Sequence, residues 1–451
     1  MKPIVVVAGI MDTKGKELLY IRDRVRVMGC DTLMIELSLG KEVKADWIDV
    51  HISDLLRGVD KTPSDIFAMT RGDAAKVVTE AAIKYITRLQ KSGKMHALIA
   101  YCGGMGSSIV APVMQTLPYG MPKILLSTMV HCAEQYLANK DIAMLYSVTE
   151  AGLNHISRQI LNTAAGVVAG GAKAYVDFKD EDAKPLIAVT MQGVTTPCAE
   201  RVMSHIAQSN EYDGMIIHAN GEGGRTLEYM AKEGCFRAMA EITLGEMSAN
   251  LLHGINDAGP DRLNSAIACG IPQVLAPGSV DFSSFRNRDA MAPRLLEEEK
   301  AGVLGRRTHY HNTNCTVCTI TPDEAYGQGK TIADKLNKAK DTVCILVPMR
   351  GWSAYDISAP DIKRGWAGPG SGPSWVPNPE HPEWSLRAEY FINGFMSAID
   401  KSNKHVEMYR VDMHINQPEF ADLFYLALHS ILDGRYEKGS LANGKIVEKL
   451  F

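Results

Sequence analysis

Residues 3–17 read Pro3-Ile4-Val5-Val6-Val7-Ala8-Gly9-Ile10-Met11-Asp12-Thr13-Lys14-Gly15-Lys16-Glu17. Residues 4–8 form a continuous apolar run rich in β-branched side chains, the mark of a strand buried on both faces. A helical pattern is taken up from Glu17, so residues 9–16 form a strand-to-helix turn. Backbone N–H groups at a helix start have no intrahelical partner and carry partial positive charge, which attracts phosphate or carboxylate. Lys14 or Lys16 adds a point charge. Asp12 is the candidate Mg²⁺ ligand, directly or through water, and Thr13 caps the helix or meets a phosphate. The G-x-x-x-x-G-K-[ST] spacing of a Walker A loop is absent. Taken alone, the stretch also admits the reading of a capped helix start with ordinary surface charges, since such turns are common where nothing binds.

The same alternation continues outward from this stretch. Strands are expected at residues 32–36, 97–101, 123–126 and 142–146, and helices at 17–28, 73–90, 106–115 and 153–168. Ala169-Gly170-Gly171 is expected to stop the last helix. Lys179-Asp180-Glu181-Asp182-Ala183-Lys184-Pro185 has the composition of a domain boundary. Beyond it the pattern restarts, with strands at 186–190, 214–219, 273–276, 343–347 and 406–410 and helices at 197–208 and 223–232. The fold class is therefore α/β: two Rossmann-like domains, residues 1–180 and 185–451, each a mostly parallel sheet covered by helices. A Pro- and Trp-rich insertion near 358–386, holding Trp366, Trp375 and Trp384, is expected to be an irregular packed loop or partner-binding flap.

Composition narrows the function classes. A chain of 451 residues with a formal charge of −4 has no basic excess for a nucleic-acid partner. No apolar run reaches the roughly 18 residues of a membrane span, and no charged region precedes an apolar one as in a secretory signal. The nine cysteines are odd in number and scattered in apolar contexts, which suits a reducing, cytoplasmic setting.

Two further turns share an expected edge with the first. Tyr101-Cys102-Gly103-Gly104-Met105-Gly106-Ser107-Ser108 packs three glycines and two hydroxyls between a strand and a helix, so backbone can approach a ligand. Leu126-Ser127-Thr128-Met129 follows the next strand. Turns at the carboxyl ends of parallel strands lie on one sheet edge, where open α/β sheets bind ligands. Glycines used only for close packing would look similar.

In the second half, Ile217-His218-Ala219-Asn220-Gly221-Glu222-Gly223-Gly224-Arg225 is again strand, glycine-rich turn and helix. His218 is a candidate acid–base group, with Glu222 and Arg225 as substrate contacts. Gly278, Ser279, Asp281 and Phe282 form another polar cluster after a strand. His309, His311, Cys315 and Cys318 have the residue types of a zinc site. However, 315–320 reads as a strand, which points Cys315 and Cys318 to opposite faces. His311 and Asn312 remain as polar lining of a cleft. The catalytic candidates are His218, Glu222, Arg225, Asp281 and His311, with a small anionic substrate in the cleft between domains. No serine-hydrolase elbow, H-E-x-x-H motif or dinucleotide G-x-G-x-x-G occurs in its proper context.

These residues carry a resemblance. Asp12-Thr13-Lys14-Gly15 with Glu17, Gly103-Gly104, Leu117-Pro118-Tyr119-Gly120-Met121-Pro122-Lys123, Ser127-Thr128, Asp141-Ile142, Gly152-Leu153-Asn154, His218-Ala219, Gly223-Gly224-Arg225 and His311-Asn312 occur in order along nearly the whole chain. The chain resembles the ATP-binding domain family typified by the tomato mosaic virus resistance protein, in its stand-alone bacterial form. The resemblance implies two Rossmann-like subdomains, ATP with Mg²⁺ in the first, and a homodimer. It implies nucleotide contacts at Asp12, Thr13, Lys14, Gly15, Glu17, Gly103, Gly104, Gly106, Ser107, Ser108, Ser127 and Thr128, and gives no reaction. Two stretches depart from the family pattern: residues 105–108, where a Ser and a Gly-Thr are expected, and the insertion around 365–384. Whether ATP is consumed, gates a regulatory interaction or serves an enzyme is left open.

Overall fold

In the computed structural model, which describes residues 1–358, 375–444 and 446–451, the chain divides into two compact units, Met1–Glu181 and Asp182–Phe451. Residues 359–374, which hold Trp366 and most of the Pro/Gly-rich stretch, lie outside the described residues. Among the described residues no helix is long and apolar enough to cross a membrane.

The first unit holds strands β1 (Ile4–Gly9), β2 (Asp31–Glu36), β3 (Ala97–Cys102), β4 (Lys123–Ser127) and β5 (Ala143–Tyr146). They form one parallel sheet in the order β2-β1-β3-β4-β5. Successive side chains of a strand point to opposite faces, and β1 uses both. Val5 and Val7 pack with Leu18, Ile21, Ala164 and Val168 on one side. Val6 and Ala8 pack with Val78, Ile86, Ile109 and Val113 on the other. The continuous apolar reading of residues 4–8 thus follows from helices on both faces.

Two sequence expectations in this unit are corrected. The first helix starts at Met11, not Glu17, so Asp12-Thr13-Lys14-Gly15 is its opening turn and not a loop before it. The last helix runs His155–Asp177 and passes through Gly170 and Gly171 without stopping. Its Ala164, Ala165, Val168, Ala169 and Ala172 face is buried, and a Cβ at Gly171 would lie 3.0 Å from Pro122. Close packing, not a helix end, fixes that glycine. The burial of this small-residue face outweighs the ~1 kcal/mol a mid-helix glycine costs.

The second unit is built on β6 (Leu186–Met191), β7 (Asp213–His218), β8 (Ala238–Thr243) and β9 (Gln273–Gly278). A three-stranded antiparallel sheet follows, made of β10 (Phe282–Phe285), β11 (Thr308–Asn312) and β12 (Cys315–Thr319). β13 (Val343–Pro348), β14 (Val406–Val411) and β15 (Val447–Lys449) complete the main sheet. Its order is β15-β14-β13-β9-β8-β6-β7, parallel except for β15, and the small sheet has the order β10-β12-β11. Cys318 joins the core around Phe391 and Ile345, whereas Cys315 packs beside Phe282 and Tyr355. The two thiols therefore leave their strand on opposite faces, as alternation requires.

Both main sheets are wound alike. In each, the second strand lies outside the first and the third pairs on the first strand's other edge, so the direction in which strands are added reverses between β1 and β3 and between β6 and β8, all of them parallel. Ligands of doubly wound sheets bind outside the carboxyl ends of the strands at this switch point.

Candidate functional sites

At the β1/β3 switch point the first unit has a pocket of about 380 Å³. Its walls are the start of helix Met11–Val27 (Ile10, Asp12, Thr13, Lys14) and the start of helix Gly104–Gln115 (Gly103, Gly104, Met105, Gly106). Leu39, Gly40, Arg71, Glu150 and Ala151 complete it. Two helix N-termini therefore converge on one space, each adding roughly half a positive charge. Lys14 is only 5% exposed. Its Nζ lies 3.4 Å from Glu150 Oε1 and 4.8 Å from the centre of the Tyr101 ring. The Tyr101 hydroxyl donates to the carbonyls of Thr149 (2.9 Å) and Glu150 (3.1 Å), pinning the loop that carries Glu150. Burial pushes the Tyr101 phenol above its usual range, which keeps it a donor.

Asp12 Oδ2 accepts the Gly40 N–H at 3.3 Å, and its Oδ1 is buried without a hydrogen-bond partner. A buried orphaned carboxylate oxygen is anomalous. It fits a hard divalent cation, which Mg²⁺ sites hold with one or two carboxylates plus phosphate oxygens.

Of the residues implied by the resemblance, Asp12, Thr13, Lys14, Gly103, Gly104 and Gly106 line this pocket, and the remaining six do not. Glu17 is buried and accepts the Gly152 N–H at 2.6 Å. Ser107 and Ser127 share a buried hydroxyl–hydroxyl bond of 2.8 Å. Ser127 Oγ also accepts the Met129 N–H at 3.0 Å, so this pair ties the helix start to the end of β4. Gly15 faces Trp47. Ser108 donates to the Met105 carbonyl at 2.7 Å and lines a neighbouring hollow. Thr128 is half-buried outside the pocket. Arg71 and Glu150 escaped the sequence reading. Arg71 follows the capping Thr70, whose Oγ1 accepts the Asp73 N–H, and so resembles any helix start. Glu150 sits in a loop with no local signal.

The glycine-rich turn of the second unit, which follows β7, is filled from within. Glu246 Oε1 accepts the N–H groups of Gly221 (2.7 Å) and Gly224 (3.0 Å). A Cβ at Gly224 would lie 2.3 Å from that carboxylate, so only glycine fits. An internal carboxylate thus takes the place an external anion would have at the start of helix Glu222–Lys232. Glu222 and Arg225 pair with each other, and Arg225 Nη1 donates to the Asp257 carbonyl at 2.7 Å.

A different pocket, of about 310 Å³, lies at the carboxyl ends of β6 and β7. It is lined by Gln192, Gly193, Val194 and His218, by Phe282, Ser284, His311, Asn312, Cys315 and Val317 of the small sheet, and by Tyr355. His311 Nδ1 and the Tyr355 hydroxyl are 2.9 Å apart. Burial, then Cys315 and Asp281, push the Tyr355 phenol up to about 12. Of the five catalytic candidates, His218 and His311 meet here, whereas Glu222, Arg225 and Asp281 are not in the lining. Among the described residues, the His/Cys/Asp/Glu groups close enough to share an ion are Glu36–Glu42–His51 and Glu211–His429–Asp433, neither from this region.

Asp281 is fully buried, and its Oδ2 accepts the Ser353 hydroxyl at 2.7 Å. Burial and the nearby Asp356 carboxylate push it up to about 7, against the pull of Ser353 and Arg387. The folded chain therefore holds a proton that the unfolded chain releases near pH 4, so stability falls as pH rises from about 4 to 7. Asp281→Asn keeps an acceptor for Ser353 and removes the titration. Relative to the parent, the variant is expected to gain about 1 kcal/mol or more between pH 5 and pH 8, read from urea midpoints. A constant difference across that range would count against a raised Asp281.

Comparisons with known proteins agree with the two-unit division. The profile described as the uncharacterised protein family (UPF0261) N-terminal domain matches residues 3–177, and that of its C-terminal domain matches 184–364. A UPF0261 protein of Clostridium tetani is 32% identical over 79% of this chain and 86% of its own length. One from Mesorhizobium japonicum is 31% identical over 93% and 97%. The ToMV resistance protein Tm-1(GCR237) of Solanum lycopersicum is 26% identical over 93% of this chain and 54% of its own length. Among solved structures, MurG of Acinetobacter baumannii aligns over 61% of this chain and 79% of that one. Its 8% identity and TM-score of 0.21 carry no argument. With both halves matched in order, the chain belongs to the UPF0261 family.

Proposed function

We propose that the first unit binds ATP with Mg²⁺. The observation that carries this reading is the convergence of two helix N-termini, the buried Lys14 ammonium and the Arg71 guanidinium on one pocket at the β1/β3 switch point. Phosphates lie against the N–H groups of residues 103–106 and beside Lys14. The orphaned Asp12 Oδ1 would hold the cation, which would supply positive charge against the phosphates. The choice of ATP rests on the resemblance to the tomato mosaic virus resistance protein family. That resemblance also carries the proposal of a homodimer, checked by sedimentation, while the scattered free cysteines support the proposal of a cytoplasmic setting. Titration calorimetry with Mg²⁺-ATP is expected to give saturable heat and a rise in melting temperature. Neither heat nor thermal shift at millimolar nucleotide would sink the reading.

A second reading has its own observation. The pocket holding His218, His311 and Tyr355 contains two imidazole groups suited to moving protons, with the Tyr355 hydroxyl beside His311, and favours a metabolic enzyme with its chemistry in the second unit. His218→Gln would then abolish turnover of the substrate while leaving nucleotide binding in the first unit intact. A nucleotide-gated interaction protein would instead bind ATP with little or no turnover.

A further inference from the structure

Beside the phosphate pocket lies a second hollow of about 640 Å³, walled by Gly72, Ala75, Thr79 and Ile83 of helix Arg71–Lys91 and by Met105 and Pro112 of helix Gly104–Gln115. Met105 lines both spaces, and Gly72 directly follows Arg71 of the first. Residues 72, 75, 79 and 83 are spaced three and four apart, as are 105, 108 and 112, so each set makes one stripe along its helix. Both stripes begin at the helix ends that face the phosphate pocket and lead away from it, for about 16 Å on the first helix and about 10 Å on the second.

Resting on the nucleotide reading of the first pocket, we propose that this hollow receives the purine base. It holds the base by apolar and thioether contact without reading its hydrogen-bonding edge. The hydroxyl protons are already committed: Thr79 donates to the Ala75 carbonyl and Ser108 to the Met105 carbonyl, both at 2.7 Å. The ammonium groups are paired too, Lys84 with Glu80 at 2.8 Å and Lys76 with Asp73 at 3.6 Å. The surface of the slot is mainly methyl and methylene groups with the polarizable Met105 sulfur, which suits a flat ring, and the exposed Lys76, Glu80 and Lys84 complete its lining. The pocket of about 380 Å³ is near the small end of the usual ~300–1,000 Å³ for ligand sites, so phosphates and ribose fill it and the base passes Met105. A site that forms no hydrogen bonds to an edge discriminates weakly between ligands that share a shape. The protein therefore selects a purine nucleoside triphosphate by its phosphates and ring face, and accepts adenine and guanine alike.

The test is calorimetry on the whole chain with Mg²⁺-ATP, Mg²⁺-GTP and Mg²⁺-tripolyphosphate, using the parent, Thr79→Trp and Ser108→Trp. Each tryptophan fills the slot from a different helix at an accessible position. ATP and GTP are expected to bind within about fivefold of each other, and tripolyphosphate at least about tenfold more weakly. Both variants should lose at least about tenfold for ATP and keep the parent's affinity for tripolyphosphate, which also reports an intact fold and phosphate site. If ATP and tripolyphosphate bind equally in all three proteins, the slot has no role while the anion site stands. If GTP binds more than about twentyfold more weakly than ATP, the base edge is read and the proposal is overturned. An equal loss of tripolyphosphate in both variants overturns it too, and no binding of any ligand removes the nucleotide reading with it.

Discussion

Lys14→Met is expected to weaken Mg²⁺-ATP binding by about 10- to 100-fold, the loss of a charge-assisted contact of ~1.5–3 kcal/mol in a half-enclosed site. Lys14 is the buried cation of the pocket, with its ammonium over Tyr101 and beside Glu150. Methionine has a similar unbranched stem, so packing is retained while charge is removed. The Glu150 carboxylate left behind is 70% exposed. Water solvates it, and the change in stability should stay below ~1 kcal/mol. Arg71 is exposed, so Arg71→Ala should cost less, about threefold to tenfold, and its effect should shrink as salt rises. Calorimetry with a parallel melting curve separates binding from folding. Unchanged affinity in a folded Lys14→Met protein would remove Lys14 from the site.

The largest stability effect is expected at Arg262. Its guanidinium is fully buried, bonded to Glu241 through Nη1 (2.7 Å) and Nη2 (2.6 Å) and to Glu246 through Nε (2.7 Å), with Glu228 at 3.4 Å. Glu246 and Glu228 also accept backbone N–H groups, from Gly221 and Gly224 and from Leu263 and Ser265. Glu241 has no hydrogen bond among the described residues other than those from Arg262. Burial already pushes its carboxyl above the usual range, and Arg262 holds it down. Arg262→Met strands that carboxylate and should destabilise the second unit by ~3–5 kcal/mol. With the arginine gone the folded Glu241 pKa rises further, so the deficit should be smaller at pH 5 than at pH 8. Adding Glu241→Gln should recover part of the loss and flatten the pH dependence. Denaturation midpoints at the two pH values check both statements. A single variant within ~1 kcal/mol of the parent would show that the cluster is not stabilising.

The two candidate sites were legible to different degrees. Residues 4–17 and 101–108 announced a strand, a glycine-permissive turn and a helix start, and the structure brings those two starts into one pocket. Ser107, Ser127 and Glu17 carry the same residue types as ligand contacts, yet their side chains are spent on a buried hydroxyl pair and on the Gly152 N–H. Residue type alone cannot separate these uses, because hydroxyl and carboxylate groups satisfy backbone as readily as phosphate. Arg71 reaches the pocket from the connection between β2 and β3, a position only the fold supplies. In the second unit His218 and His311 do share a pocket. Glu222 and Arg225 have instead neutralised each other on one helix face, three residues apart.

By itself the sequence determined the α/β class, a division between residues 180 and 185, and most of the strands, although β8 (Ala238–Thr243) and the short β10, β11 and β15 were not read from it. These follow from short-range rules: apolar runs for strands buried on both faces, helical spacing between them, and charged or proline-bearing links. The opening stretch, Val5 to Lys14, also carried its strand and its helix start, because both are local properties. Tertiary structure alone decided which glycine-rich turn stays open. Residues 103–106 face a pocket, whereas 221–224 close on Glu246, which lies 22 positions beyond Gly224 in the chain. Both turns offer the same backbone donors. The difference is whether the folded chain brings a carboxylate of its own into the cradle, and no local pattern encodes that.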